Sequence, residues 1–155
     1  MRLLRGNVPS VLDEYNYRFE LGRAQIIRDG HDVLVISSGL MTMRALEAAA
    51  ELGPDRVDVA VLHVPTLKPL DEPAILAQCA KSGRLVVVAE NHSVIGGLGE
   101  AVAGVLMRSN VRPAAFRQIG LPDAFLDAGA LPTLHDRYGL SAAKVAAAIK
   151  GWLSS

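Results

Sequence analysis

Short apolar runs alternate with amphipathic stretches along most of this chain. Residues 33–36 and 84–90 are two such runs, VLVI and RLVVVAE, typical of strands that are covered on both faces. Between them, the stretch MTMRALEAAAELG has helical spacing and ends at Gly53-Pro54, a helix stop. Its apolar positions form one stripe, made of Met41, Ala45, Ala48, Ala49 and Leu52. Strands that alternate with helices predict an α/β layered domain with a largely parallel sheet.

The later segments continue this alternation. Asp71 is placed to cap a second helix, EPAILAQCAKSG, with Pro73 in its first turn. Ser141 is placed to cap a last helix, AAKVAAAIKGWL, and a short helix is predicted near Thr133 to Tyr138. The remaining predicted elements are two strands, VDVAVLHV and PAAFRQIG, and a helix, GEAVAGVLMRS.

The first predicted strand, AQIIRDG, ends in the turn signal Asp29-Gly30 directly before the run HDVLVISSG. Two strands joined by so short a turn are expected to be antiparallel, which makes the first an edge strand. The residues before it lack a sustained period and predict an irregular entry segment.

Composition narrows the class of protein. The 155 residues suit one domain, half of them are apolar, and 16 basic residues balance 16 acidic ones. This balance argues against a nucleic-acid binder. No apolar stretch approaches a membrane span, and the start MRLLRGNVPS lacks the apolar region of a signal peptide. The single cysteine, Cys79, is predicted to be a buried, reduced, structural thiol, so a cytoplasmic location is expected.

The glycines of Gly96-Gly97-Leu98-Gly99 follow a buried strand and open a helix. Glycines there permit close backbone approach, and a helix N-terminus attracts anions, so a phosphate or dinucleotide site is one interpretation. However, the spacing is not G-x-G-x-x-G, and no Gly-Lys-Ser or Gly-Lys-Thr follows. Tight packing of the helix against the sheet or another subunit is the other interpretation. Gly96, Gly97 and Gly99 are therefore candidate interface or anion contacts.

Glu90, Asn91 and His92 come where the fourth strand should end, and in open α/β sheets ligands bind beyond the carboxyl ends of the strands. Glu90 and His92 therefore fit either an acid–base pair or a loop or interface hydrogen bond. His63, at the end of the third strand, raises the same question.

Other polar residues carry less chemical signal. His31 and His135 are predicted to lie on the surface, and the four histidines lack metal-ligand spacing, so we predict no metal site. Ser37 or Ser38 is predicted to cap the following helix. G-x-S-x-G is absent, and we assign no catalytic residue.

Four segments in order resemble the C-terminal domain of transketolase: VLVISSGLMTMRALEAAAEL, KPLDEPAI, AENHSVIGGLGEAVA and GLPDAFLDAG. They are also similar to the matching domains of deoxyxylulose-phosphate synthase and the pyruvate dehydrogenase beta subunit. The likeness covers about Gly22 to Ser155. It implies a three-layer α/β/α sandwich whose five-stranded, mostly parallel sheet has one antiparallel edge strand.

The resemblance also implies where the cofactor lies. In this family two other domains hold thiamine diphosphate and its divalent cation, Mg²⁺ in the parent enzyme, and the activating glutamate belongs to the pyrimidine domain. The Gly-Asp-Gly motif with its distal Asn is absent here. This chain is therefore expected to bind no cofactor and to be inactive alone. The expected partners are the remaining transketolase domains or an N-terminal subunit, in a homodimeric parent.

The first residues, LLRGNVP, resemble the end of the pyrimidine domain, and Arg5 matches an arginine that binds the sugar phosphate there. Residues 1–21 are thus expected to hold the end of that domain and an interdomain linker, and residues 22–155 the C-terminal domain. Glu90 matches the acidic position of the family's E-E or E-N stretch. Asn91-His92 make that stretch a variant, so no catalytic duty is transferred to Glu90.

Two hypotheses of function follow. The first is a structural, dimer-stabilising part of a transketolase that moves two-carbon ketol units between sugar phosphates, or the same part of a deoxyxylulose-phosphate synthase or 2-oxo acid dehydrogenase. GLPDAFLDAG, the helix YGLSAAKV and the Arg-Gly-Asn stretch favour transketolase. The second is a stand-alone regulatory module that binds a small anion at the GGLG helix start.

Overall fold

The structure, a computed structural model, describes residues 12–154. Five strands and five α-helices make up the described chain, together with two short 3₁₀ turns at Asp13–Tyr15 and Gly53–Asp55. The order follows the predicted alternation. The elements are β1 (Gln25–Arg28), β2 (Val33–Ser37), α1 (Leu40–Leu52), β3 (Val59–His63), α2 (Glu72–Cys79), β4 (Leu85–Ser93), α3 (Leu98–Arg108), β5 (Ala115–Leu121), α4 (Leu131–Arg137) and α5 (Ala142–Leu153).

The strands form one sheet in the order β1-β3-β2-β4-β5. Strands β2 to β5 are parallel, and β1 runs antiparallel at the edge. Alternate residues of the central strands face opposite sides. Helices α1 and α5 pack on the side of Val33 and Val35, whereas α2 and α3 pack on the side of Leu34 and Ile36. The predicted three-layer α/β/α sandwich with one antiparallel edge strand is therefore confirmed.

Local capping signals set the starts of two helices. The Asp71 carboxylate accepts a hydrogen bond from the Ala74 amide at 3.2 Å, with Pro73 in the first turn of α2. The Ser141 hydroxyl accepts from the Lys144 amide at 3.4 Å and opens α5. Both caps confirm the prediction, because such bonds span only a few residues of sequence.

Two local predictions are wrong. Strand β1 is an antiparallel edge strand, but it pairs with β3 and not with β2, because β3 and β4 occupy both hydrogen-bonding sides of β2. The cap of α1 is the second correction. Gly39 is the N-cap residue, and the Ser38 carbonyl accepts from the Met41 amide. The Ser37 hydroxyl is instead drawn into the protein, where it donates to Thr42.

The edge of the sheet at which β2 to β5 end is called the carboxyl edge below, and the opposite edge the amino edge. At the carboxyl edge, β2 leads to a helix on one face of the sheet and its neighbour β4 leads to a helix on the other face. This is the switch point at which open α/β sheets usually bind ligands. In residues 12–154, no helix has the length and apolar character needed to cross a membrane.

Candidate functional site

The centre of the carboxyl edge holds a buried carboxylate, that of Glu90, which is only 4% exposed. Its two oxygens accept hydrogen bonds from the Leu98 amide at 2.7 Å and from the Gly99 amide at 2.8 Å. These amides belong to the first turn of α3 and have no carbonyl partner within the helix. A negative charge there also interacts favourably with the helix dipole. Glu90 therefore fills the anion position at the start of α3.

The glycines of the GGLG stretch make this contact sterically feasible. A β-carbon on Gly97 would lie 2.1 Å from a carboxylate oxygen of Glu90. One on Gly99 would lie 2.5 Å from the side-chain oxygen of Gln118 on β5. Both contacts are far below van der Waals distance, so a β-carbon at either position would displace the Glu90 carboxylate or the Gln118 amide from its place. Their geometry matches the tight-packing interpretation.

The third glycine, Gly96, has a φ of +73°, in the left-handed region that favours glycine. Its amide donates to the carboxylate of Glu100 at 2.8 Å. Beside it lies an open groove of about 440 Å³, which Leu67, Lys68 and Ala101 also line. Two carboxylates thus accept from the amides of residues 96, 98 and 99, and Lys68 is the cation of the groove wall.

His92 does not join Glu90. Glu90 faces α3 in the interior, whereas the His92 side chain is exposed and its Nδ1 lies 3.1 Å from the carbonyl oxygen of Ser93. The two side chains share no hydrogen bond. The geometry in this part of the described chain therefore provides no acid–base pair formed by these two residues.

A second buried polar group lies at the ends of β2 and β3. The Ser37 hydroxyl donates to Thr42 at 3.0 Å, and the Thr42 hydroxyl lies 2.7 Å from Nδ1 of His63. The ring of Tyr17 packs edge-on against His63, with the ring centres 4.9 Å apart. Burial lowers the pKa of His63 to about 4 and raises the pKa of Tyr17. His63 is therefore neutral at pH 7 and able to accept a hydrogen bond from Thr42.

A hydrogen-bonded chain of serine, threonine and histidine resembles the arrangement of a catalytic nucleophile and its general base. Yet Ser37 and Thr42 are fully buried, His63 is 5% exposed, and a histidine pKa near 4 suits a general base poorly at neutral pH. The network joins β2, α1 and β3 inside the protein. Sequence reasoning considered His63 but missed Thr42 and Tyr17, because no local pattern marks either as a partner of His63.

His135 is a correction to the sequence-based expectation. It is 3% exposed, not on the surface, and neither ring nitrogen has a hydrogen-bond partner. Burial, followed by the nearby Arg44 guanidinium, lowers its pKa. His135 belongs to α4 and lies near Arg44 of α1, so its burial results from how α4 packs on the domain, a tertiary effect without a local signal. His31, as predicted, is exposed.

The remaining candidates carry little chemistry. Cys79 is buried and free, as predicted, and burial raises the pKa of its thiol to about 11, which makes it a poor nucleophile. Within the described part of the chain, no histidine, cysteine, aspartate and glutamate side chains gather in a group that would hold a metal ion. Arg5 lies outside the described residues.

Comparison with known proteins decides the family. Residues 22–145 match the model of the transketolase C-terminal domain. The chain belongs to this family. The resemblance seen in the four sequence segments is thus confirmed, and the site described above is the carboxyl edge of a transketolase C-terminal domain.

Two relatives of this transketolase C-terminal domain indicate its context. The uncharacterized transketolase family protein y4mN of Sinorhizobium fredii is 76% identical over 99% of this chain and 44% of its own length. The 6-deoxy-6-sulfo-D-fructose transketolase subunit SqwH of a Clostridium species is 42% identical over 94% of this chain, again 44% of its own length. The chain spans less than half the length of these curated relatives.

A solved structure agrees. A split-gene transketolase, solved as an inactive tetramer of four beta chains, is 38% identical and superposes with a TM-score of 0.84. The alignment covers 97% of this chain and 48% of that one. The similarity therefore extends over the whole sandwich of this transketolase C-terminal domain.

Proposed function

We propose that this chain is the C-terminal scaffold of a thiamine-diphosphate-dependent transketolase, an enzyme that moves two-carbon ketol units between sugar phosphates. The chain itself contributes no reactive centre and stabilises the assembly, including a homodimer of the parent enzyme. Family membership supports the enzyme class. The relatives, more than twice as long as their matched region, support the need for further domains or subunits.

The observation that carries the scaffold role is the position of Glu90. Its carboxylate takes two amides of the α3 N-terminus, and Glu100 takes that of Gly96. An incoming phosphate would have to displace a buried charge-assisted pair of hydrogen bonds and would meet two negative charges. This argues against the stand-alone anion-binding module, the second hypothesis from sequence.

The described residues do not fit thiamine diphosphate either. Neither a group of metal ligands nor a free anion position at α3 is available to its diphosphate and cation. In the proposed assembly the cofactor, which supplies an electron sink for the ketol transfer, is held with Mg²⁺ by the other domains. We place the end of the preceding domain and the linker in residues 1–21, with Arg5 as the proposed sugar-phosphate contact, and the C-terminal domain in residues 22–155.

Transketolase is preferred over the two alternatives, deoxyxylulose-phosphate synthase and a 2-oxo acid dehydrogenase beta subunit. The loop GLPDAFLDAG and the Arg-Gly-Asn stretch favour it. A 42% identical relative also bears the name of a transketolase subunit. The sulfonated sugar in that name extends the candidate substrates from sugar phosphates to other ketoses with a terminal anionic group.

A chimera tests this proposal. The matched region of the Clostridium subunit SqwH is replaced by this chain, and the enzyme is assembled with its other components. We expect the chimera to restore thiamine-dependent ketol transfer, whereas this chain alone and the truncated subunit remain inactive. Calorimetric titration of this chain alone with thiamine diphosphate and Mg²⁺ should give no saturable heat. Tight binding, or turnover by the chain alone, would contradict the scaffold role.

A further inference from the structure

Large hydrophobic side chains that face solvent concentrate at the carboxyl edge. Six of the ten exposed ones in residues 12–154 lie there, at positions 19 and 21 just before β1 or in the loops that follow β3, β4 and β5. Isolated exposed hydrophobic residues are common, but a group on one side of a domain marks an interaction surface. The six, called the apolar edge surface below, are Phe19, Leu21, Leu67, Ile95, Phe125 and Leu126.

The loops that carry this surface are held in place by hydrogen bonds. The Val94 amide donates to the Leu121 carbonyl at 2.9 Å, which joins the loop after β4 to the end of β5. The Gly22 amide donates to the Thr66 hydroxyl at 3.0 Å, which joins the entry segment to the loop after β3. The Phe125 side chain is nonetheless fully exposed, and that of Ile95 is 54% exposed. Ordered loops that hold apolar side chains in water suit a partner that covers them.

The course of the chain points to the occupant. The family match begins at Gly22, and Tyr17, which precedes it, packs against His63 at this same edge. The entry segment around Tyr17 therefore lies beside the end of β3 and next to the apolar edge surface. More than half the length of the two curated relatives lies outside the matched region. In the proposed function, residues 1–21 connect this domain to a preceding one, and a domain joined by a short linker has a high effective concentration at a neighbouring surface.

The geometry points to docking of the apolar edge surface on the thiamine-binding part of the transketolase. This inference rests on the proposed function. It assigns Ile95 and Phe125 to the interdomain contact. These residues lie in two of the segments that resemble the transketolase C-terminal domain, AENHSVIGGLGEAVA and GLPDAFLDAG. Glu90 contributes indirectly, because it holds the start of α3 next to the loop that bears Ile95.

Hydrogen exchange tests the inference without requiring turnover. This chain is compared alone and in a chimera in which it replaces the matched region of the Sinorhizobium fredii protein y4mN. Amides of residues 92–97 and 123–128 should exchange at least about tenfold more slowly in the chimera. Residues 107–112, at the other end of α3, should exchange equally in both. Absence of slowing at the carboxyl edge would overturn the inference.

Matched variants identify the side chains responsible. The double variant Ile95→Ser with Phe125→Ser should abolish the slowing in the chimera. Met107→Ser, which removes an apolar side chain of 75% exposure at the amino edge, should leave it unchanged. All three substitutions are at exposed positions, and circular dichroism of each chain checks that it folds. Slowing that survives the double variant would place the contact elsewhere.

A second copy of this chain is the competing occupant. Sedimentation of the chain alone should show a monomer at micromolar concentration. A dimer that Ile95→Ser with Phe125→Ser converts to monomer would overturn the inference in favour of self-association. Failure of docking is separable from failure of the proposed function. If the SqwH chimera is active but exchange does not slow in the y4mN chimera, only the docking inference is wrong. If exchange slows but no ketol transfer occurs, only the proposed activity is wrong.

Discussion

The Glu90 carboxylate and Gly97 lie in direct contact at the start of α3. Gly97 has a φ of −100° and a ψ of −163°, values that alanine adopts freely. Its need for glycine therefore arises from the carboxylate oxygen 2.1 Å from the position of a β-carbon, not from the backbone. A contact of this kind produces strong coupling between the two residues.

We expect Gly97→Ala to lower the free energy of unfolding by about 1–3 kcal/mol through overpacking. Glu90→Ala should cost about 3 kcal/mol, because two buried amides lose a charged acceptor. In the double variant the alanine occupies the space left by the carboxylate, so the effects should fall short of additivity by at least about 0.5 kcal/mol. Urea unfolding of the four proteins measures this coupling.

The control is Gly151→Ala in α5, where nothing lies within 4 Å of the added β-carbon. Gly151 lies in the last turn of the helix, where that change should stabilise by up to about 0.5–1 kcal/mol. Strictly additive effects at positions 90 and 97 would show that the carboxylate does not set the requirement for glycine.

At the scale of elements, the Ser37–Thr42–His63 network links β2, α1 and β3 through side chains within the layer that α1 covers. Such a polar group is stable only when its members satisfy one another, and the neutral ring of His63 is part of that arrangement. Protonation of His63 would place an unpaired charge in the interior. The contact between three elements is therefore sensitive to acid.

The pH dependence follows from the pKa of His63, which is lowered from 6.5 to about 4. Above pH 6.5 the ring is neutral in both folded and unfolded states. As the pH is lowered from 6.5 to 4, the unfolded chain takes up the proton before the folded protein does. The free energy of unfolding therefore decreases as the pH decreases. Below about 4 both states are protonated and the loss is complete.

We expect His63→Phe to flatten the free energy of unfolding between pH 6.5 and 4, by up to about 1.4 kcal/mol per pH unit. It should also cost about 1 kcal/mol at pH 7 for the lost hydrogen bond. His92→Asn, a change at an exposed histidine, should leave the wild-type slope unchanged. Equal slopes for His63→Phe and the wild type would assign the acid sensitivity to other groups.

Across the whole molecule, the carboxyl edge and the amino edge of the sheet differ in their side chains. The carboxyl edge presents the apolar edge surface, whereas the amino edge is closed by Arg84 at the start of β4. This guanidinium is 2% exposed, donates to the Gly30 carbonyl and to Gln78 at 3.3 Å, and lies 3.6 Å from Asp29. It thereby ties the β1–β2 connection and α2 to the central strands.

Arg84→Met should lower the free energy of unfolding by about 2–3 kcal/mol, because the buried Gly30 carbonyl loses its charged donor. Lys81→Met is the matched control, since Lys81 pairs with the same Asp29 at 3.4 Å but is exposed. Its effect should stay below about 1 kcal/mol. Thermal unfolding of both variants distinguishes them, and equal losses would contradict the role of Arg84.

Much of the fold was predictable because its signals are local. Helix and strand periods, the Asp71 and Ser141 caps and the helix stop at Gly53-Pro54 each depend on residues a few positions apart. The predicted elements are all present, and the edge position of β1 was correct. Its partner was not, because the choice between β2 and β3 depends on which strands already occupy the sides of β2.

The site shows the same division more sharply. Sequence alone determined that Glu90, His92 and the glycines follow β4, and that the chain belongs with the transketolase C-terminal domain. Only the tertiary structure decided that Glu90 is buried and His92 exposed, that Thr42 contacts His63, and that His135 of α4 is buried. The physical reason is distance along the chain. Periodicity and capping act over one or two turns, whereas these contacts form only when separate elements pack together.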